Sequence, residues 1–450
     1  MHPDLPSAPA ACDAAIIGDA GDSRSRCASR HFHVLKVTQS YYPFLERGGP
    51  AVKVRAMARG LARRGHLVTV LTSDLGIKEA ANSRTITPQA NGWRYDEDGV
   101  QAVYLSARGK YRALTWNPGA FAFCAQHLTS VDIVHIYGTY DLLGPIVARA
   151  CRQMGIPYLV EPMGMFRPIV RNLALKWLYR RLLGESVVRG AARLVATSPQ
   201  ERRELIEEGI APEKLILRRN GIEAPKICRA PGAFRREWQI PEDALVVLFL
   251  GRIVSKKSPE LLLEAFIRWR RSLGTKQPAV LVFAGPAENA TERQKLEAKV
   301  RQEGLSRAVL FTGALYDDAK WSALLDADIF VLPSQNENFG NAAAEALACG
   351  TPVVVTDRCG IAPLIDGRAG LVIPHELEAL VRALHQLSDV GLRERMKLGC
   401  IEVARGLGWE QPLAETEALY AELLPEPNAI RLDSHSSLRL ETPRMPQMEK

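Results

Sequence analysis

Short apolar runs alternate along this chain with longer segments in which apolar residues recur every three or four positions. That rhythm predicts parallel strands covered on both faces by helices. The first strand is read at 34–39. Gly48-Gly49-Pro50 then opens a helix with Ala51, Val54, Ala58 and Leu61 on one face, and Gly65 closes it before a second strand at 67–72. An extended pair is read over 93–105, turning at Asp96–Gly99. Three short strands follow at 132–137, 158–161 and 194–198. A linker containing Pro225, Pro231 and Pro241 interrupts the rhythm over 220–241. The cycle then restarts with strands at 245–250, 280–284, 309–312, 329–333 and 353–356. Helices are read between them at 259–271, 291–302, 317–325 and 341–348.

Two such cycles in 450 residues predict two doubly wound α/β domains facing across a cleft, within the two to four domains that the length allows. The expected boundaries are 1–30 without fixed structure, an N-terminal domain over 31–225 joined by a C-terminal helix at 409–424, a second domain over 240–405, and an unstructured tail at 425–450. In doubly wound folds ligands sit beyond the carboxyl ends of the strands, so both domains should turn those edges toward one cleft.

Composition narrows the class. With 47% hydrophobic and 24% charged residues the chain reads as globular. No apolar run approaches the roughly 18 residues of a membrane span. The net charge of +8 is a modest excess, suited to phosphates or an anionic lipid surface and giving no sign of a nucleic-acid partner. The eight cysteines form no C-x-x-C pair and no zinc pattern, and 1–30 lacks the apolar core of a secretory leader. A reducing, cytoplasmic setting is expected.

Two loops carry candidate chemistry. Ser334-Gln335-Asn336-Glu337-Asn338-Phe339-Gly340-Asn341 leaves a buried strand and opens a helix that carries Glu345 two turns on. Gly340 permits close backbone approach, the first amides of the helix can face an anion, and Glu345 could accept hydrogen bonds from a ribose diol. The plainer reading makes Glu337 a helix cap and Glu345 a solvated charge. Gly251-Arg252-Ile253-Val254-Ser255-Lys256-Lys257 leaves the strand at 245–250. Arg252 and Lys257 could neutralise a diphosphate, or simply form a solvated basic loop.

Together these loops resemble the C-terminal half of family 4 (group 1) glycosyltransferases of the GT-B fold. That family carries G-R-x-x-x-x-K-G and then E-x-F-G-x-x-x-x-E, standing here as Gly251-Arg252…Lys257 and Glu337-Asn338-Phe339-Gly340…Glu345. Ala346-Leu347-Ala348-Cys349-Gly350-Thr351-Pro352-Val353-Val354 continues the likeness. Gly48-Gly49, Gly65–Val70, Asp132–His135 and Asn220-Gly221-Ile222 extend it across about 33–424. The resemblance implies transfer of a sugar, with retention and without a metal, from a nucleotide-diphosphate donor to a glycan or polyprenyl-linked acceptor, as in bacterial surface-polysaccharide assembly. It implies no cofactor beyond that co-substrate. It assigns Arg252 and Lys257 to the diphosphate, Glu345 to the ribose, and Glu337 with the Phe339 and Gly340 amides to the donor sugar. Gly251, Asn338 and Asn341 complete the donor side, and Gly48, Gly49, His135 and Met163 face the acceptor.

Three positions depart from the pattern. Ser258 stands where the family has glycine, Met163 where relatives often have histidine, and 360–364 lacks a glutamate common after Gly-Ile-Pro. Met163 cannot donate a hydrogen bond. A nucleotide-sugar-binding scaffold with weakened catalysis, or an epimerase or phosphorylase on the same fold, are the alternatives. Asp96-Glu97-Asp98 matches the metal-binding D-x-D, but beside Gly99 it reads as a turn. His135, ending a strand, is read equally as a satisfied interior residue or as a cleft residue. No G-x-G-x-x-G or P-loop is present. Arg167, Arg171, Lys176, Arg180, Arg181, Arg189 and Arg193, interleaved with apolar residues, suggest peripheral contact with an anionic membrane or a solvated helix.

Overall fold

A computed structural model describes residues 30–44, 49–77, 86–111, 114–166, 177–223, 230–274, 277–287, 290–365 and 367–424. The terminal segments, Gly48, Arg167, Arg171 and Lys176 lie outside the described residues.

From Phe32 onward the chain builds two parallel-sheet lobes. In the N-terminal lobe the strands are β1 (His33–Val37), β2 (Leu67–Ser73), β3 (Ile86–Gln89), β4 (Gly92–Glu97), β5 (Val100–Leu105), β6 (Gly109–Tyr111), β7 (Leu114–Trp116), β8 (Ile133–Tyr137), β9 (Tyr158–Glu161), β10 (Arg193–Ala196) and β11 (Leu215–Leu217). Nine of them form one sheet in the order β11-β10-β9-β8-β1-β2-β5-β4-β3, and β6 pairs with β7. The C-terminal lobe contains β12 (Leu245–Leu250), β13 (Ala279–Ala284), β14 (Val309–Gly313), β15 (Ile329–Leu332), β16 (Val353–Thr356) and β17 (Gly370–Ile373), ordered β14-β13-β12-β15-β16-β17. Every residue of β12, β13, β15 and β16 is buried, because helices cover both faces. Each Val, Leu or Phe so enclosed contributes roughly 1.5–3 kcal/mol.

The strand order reverses at β1/β8 in the first sheet and at β12/β15 in the second. Each reversal leaves a crevice between loops that diverge to opposite faces, which is where this architecture receives ligands.

Short elements escaped the sequence reading. β3 contains Pro88 and lies at a sheet edge, while β11 and β17 are three and four residues long, too short for a period to show. The linker also differs from expectation. Ala233–Glu237 is a helix whose Phe234 is 1% exposed, and Asp326 accepts hydrogen bonds from the Gly232 and Phe234 amides. Phe234 and Ile222 therefore belong to the C-terminal core, and that lobe begins before residue 240. The final helix, Glu410–Leu423, returns to the N-terminal lobe, where Leu413, Leu419 and Tyr420 join the core.

The turn at Asp96–Gly99 is a hairpin joining β4 to β5, with Asp98 and Gly99 at φ 47° and 79°. Asp96 pairs with Arg94 at 2.8 Å, and Asp98 pairs with Arg59. Both D-x-D carboxylates thus serve local ion pairs.

Candidate active site at the two sheet crossovers

At the β12/β15 crossover the two motif loops leave adjacent strand ends. The Gln335 amide donates to the Lys256 carbonyl at 2.9 Å, joining them. The loop of residues 334–341 is also fastened to the loop after β16. Glu337 N–H donates to the Arg358 carbonyl at 3.0 Å, Gly360 N–H to the Glu337 carbonyl at 2.9 Å, and Ile361 N–H to the Phe339 carbonyl at 2.8 Å. Phe339 is 3% exposed and anchors the loop in the core. Gly360 and Ile361 thus frame this loop through backbone bonds, although 360–364 lacks the glutamate.

Lys257 Nζ lies 3.2 Å from Glu337 Oε2, both side chains about one-fifth exposed at 19% and 22%. The same Nζ would stand 2.9 Å from a Cβ on Gly251, so the first glycine of the motif makes room for the lysine. Arg252 is exposed beside them. Burial lowers the Lys256 ammonium below its ordinary value; Lys257 and Arg252 push the same way, while Glu337 and Glu204 oppose. A second anion in this cluster of cations would relieve their mutual repulsion.

Gly340, at φ 103°, precedes the helix Asn341–Ala348 without any side-chain cap, so Glu337 is not its cap. The first intrahelical bond runs from Ala344 N–H to the Gly340 carbonyl at 3.0 Å. The three preceding amides therefore have no acceptor within the helix and carry its positive end. Glu345 is not a solvated charge either: it pairs with Lys320 at 2.8 Å and is 18% exposed. Lys320 also lies 4.2 Å over the Trp321 ring. No spacing in the sequence marked Lys320, because it comes from the helix Asp317–Asp326.

Ser258 is held at φ 51° and ψ 49°, which explains why a glycine suits this position. Its hydroxyl bonds His375 Nε2 at 2.8 Å.

Gly49, Asn220 and Gly164 bring the N-terminal lobe against these loops. Gly49 lies at the seam, where a Cβ would stand 3.3 Å from Asn341 Nδ2. Asn220 Nδ2 donates to Asn341 Oδ1 at 3.1 Å. A Cβ on Gly164, next to Met163, would stand 3.0 Å from Asn338 Cβ. The structure thus gathers Gly49, Gly251, Lys257, Glu337, Asn338, Gly340 and Asn341 at one junction, with Arg252 and Glu345 on the same elements, and Met163 reaches it through Gly164 while its own side chain packs on the N-terminal core.

His135 is different. It is fully buried, with Nδ1 2.9 Å from Tyr420 Oη and Nε2 3.6 Å from Glu161 Oε2. Its pKa lies well below the ordinary value because of burial, with Lys36, Arg218 and Lys53 adding to the effect. It belongs to the interior, which corrects its placement facing an acceptor. Glu161 is the centre of this interior cluster. It pairs with Lys53 and, at 2.6 Å, with Arg218, while Lys36 donates to Tyr137 Oη at 2.7 Å.

The basic segment before β10 is also changed by folding. Arg180 pairs with Glu208 and Arg193 with Glu422, each at 2.6 Å, so two of its charges are neutralised from elsewhere in the chain. Arg181 and Arg189 remain exposed, as do Trp177, Leu178 and Leu182 at 59%, 47% and 66%. Among the described residues no helix is long and apolar enough to cross a membrane.

Comparison with known proteins matches both lobes. Residues 48–221 match the family described as glycosyl transferase 4-like domain, and residues 232–399 match glycosyl transferases group 1. The D-inositol 3-phosphate glycosyltransferase of Kribbella flavida is 35% identical over 400 residues, covering 83% of this chain and 91% of that protein. The enzyme of the same name from Streptomyces bingchenggensis is 33% identical over 313 residues, covering 65% and 67%. Among solved structures, Anabaena HepE in complex with UDP and glucose superposes with a TM-score of 0.70 at 17% identity, covering 87% of this chain and all of that one. The sucrose-phosphate synthase of Thermosynechococcus elongatus gives 0.68 at 19%, covering 88% and 99%. These likenesses show the GT-B fold, and the matches over both lobes with the 35% identity place this chain in the group 1 glycosyltransferase family.

Proposed function

We propose that the chain transfers a sugar, with retention, from a uridine-diphosphate sugar to a hydroxyl of an acceptor held by the N-terminal lobe. The observation that carries this reading is the meeting of Lys257, Glu337 and the open helix end after Gly340 at one sheet crossover. Arg252, Lys257 and the amides would stabilise the charge that gathers on a departing diphosphate, without a metal ion. Glu345, oriented by Lys320, would hold the ribose, and Glu337 with Asn338 the donor sugar. UDP as the nucleotide is supported by the Anabaena structures, which contain UDP and UDP-glucose.

Two acceptor classes have support. The relatives' names point to D-inositol 3-phosphate. Exposed Trp177, Leu178 and Leu182 beside Arg181 favour a lipid-linked glycan approached at an anionic membrane, as in polysaccharide assembly.

The test is UDP release from a panel of UDP-sugars with each acceptor, in EDTA and in Mg²⁺ or Mn²⁺. Turnover should survive EDTA. Arg252→Ala and Lys257→Ala should each lower it at least tenfold, and more than Lys256→Ala. Activity lost in EDTA and restored by metal would return attention to Asp96 and Asp98. Binding of UDP without release from any donor would favour a scaffold. Co-sedimentation with anionic vesicles, weakened by salt and by Trp177→Ser with Leu182→Ser, would select the lipid-linked acceptor; no vesicle binding would select the soluble one.

A further inference from the structure

Ser198-Pro199-Gln200-Glu201 opens the helix Pro199–Glu207, and Ser198 Oγ accepts from the Glu201 amide at 3.1 Å. In such a box the glutamate ordinarily turns back to the amide of its own cap. Here it reaches further. Glu201 Oε2 accepts from the Thr197 amide at 2.7 Å and the Thr197 hydroxyl at 2.9 Å, while Oε1 accepts from the Gly164 amide. With Glu201 only 3% exposed, both oxygens are committed.

Met163 and Gly164 stand at φ 56° and 70°. A methionine in that region is uncommon and persists only where its surroundings hold it. The turn they form lies against Asn338. The helix behind Glu201 touches the C-terminal lobe at two further points. A Cβ on Gly360 would stand 2.6 Å from Ser198 Cβ, and Asn336 Nδ2 donates to Glu204 Oε1 at 3.0 Å. Glu201 therefore sits between the seam of the two lobes and the turn that carries Met163.

We infer that Glu201 is a positioning residue of the transfer site: its carboxylate sets the Met163–Gly164 turn against Asn338 and so places Met163 at the lobe junction. The inference rests on the reading of this junction as the transfer site. A carboxylate suits the task because backbone donors approach both of its oxygens. A glutamine amide would turn its NH₂ toward either the Gly164 or the Thr197 donor, and one bond would be lost.

The test uses the full chain with ¹³C-methyl methionine, the Met163 signal being assigned by its loss in Met163→Leu, and UDP as the probe ligand. In Glu201→Gln the Met163 methyl signal should shift or broaden, while those of buried Met57 and Met396 stay in place. Calorimetric affinity for UDP should remain within about twofold. UDP release from the most active UDP-sugar should fall tenfold or more, since small misplacements at a transfer site are costly. Thr197→Val, which removes the hydroxyl and leaves the Gly164 bond, should keep the signal and the turnover within about twofold. A Met163 signal in Glu201→Gln identical to wild type overturns the inference. So does Thr197→Val reproducing the loss, because the effect would then run through the Thr197 bond and not through Gly164. If no UDP binding is found in any variant, the donor reading fails, and the methyl comparison still decides the role of Glu201.

Discussion

Glu345→Ala is expected to weaken UDP binding by roughly ten- to a hundredfold, because charge-assisted hydrogen bonds to a ribose diol are worth about 1.5–3 kcal/mol. Glu337→Ala should behave differently. Its carboxylate stands 3.2 Å from Lys257 Nζ, so its removal frees a cation for the diphosphate. UDP affinity should hold or rise, while turnover of the UDP-sugar falls. Calorimetry with UDP and a UDP-release assay separate the two effects. Unchanged affinity in Glu345→Ala would sink the ribose assignment, and Lys320 would then be no more than its structural partner.

The other large effect is on stability. Glu161 is the carboxylate that faces Lys53 and Arg218 in the interior of the N-terminal lobe, with Lys36 close by. Both partners are almost wholly buried, at 3% and 2% exposure of their side chains. Glu161→Ala leaves those cations without it, and breaking a buried pair from one side costs about 3–5 kcal/mol. Burial already holds the Lys53 ammonium well below its ordinary value, with Arg218 and Lys36 adding to the effect and Glu201 opposing it. Between that lowered value and the ordinary one, the unfolded chain binds more protons than the folded chain, so this group's contribution to stability rises with pH. Removing Glu161 lowers the folded value further and widens the window. Both proteins gain stability from this group as pH rises toward the ordinary lysine range, and the deficit between them shrinks only while pH crosses the two lowered folded-state values. A loss below about 1 kcal/mol in urea denaturation at neutral pH would show that the cluster does not depend on Glu161.

The two motif loops of the C-terminal lobe were legible because they are contiguous. Gly251 to Lys257 and Glu337 to Glu345 each follow a buried strand, so glycine, charge and helix start stand in a fixed order along the chain. The N-terminal side of the junction was less so. Met163 could be picked out as a departure from a motif, but its left-handed backbone and its contact through Gly164 with Asn338 come from different parts of the chain. His135 was misplaced for a related reason. A residue ending a strand looks the same in sequence whether its side chain meets a crevice or a returning helix, and Tyr420 lies 285 residues away.

The sequence by itself determined the two α/β cycles, their strands of continuous apolar residues and the positions of the two glycine-and-charge motifs, because these depend on local periodicity and on neighbours within one loop. Only the tertiary structure decided which charges are engaged. Lys320 with Glu345, Lys257 with Glu337, Glu161 with Lys53 and Arg218, and Glu201 with Gly164 are all pairings between separate elements. A lone acidic residue looks alike in sequence whether it is solvated, buried or positioning a turn. What distinguishes these cases is desolvation and the donors brought to it by folding, and both are properties of the packed chain.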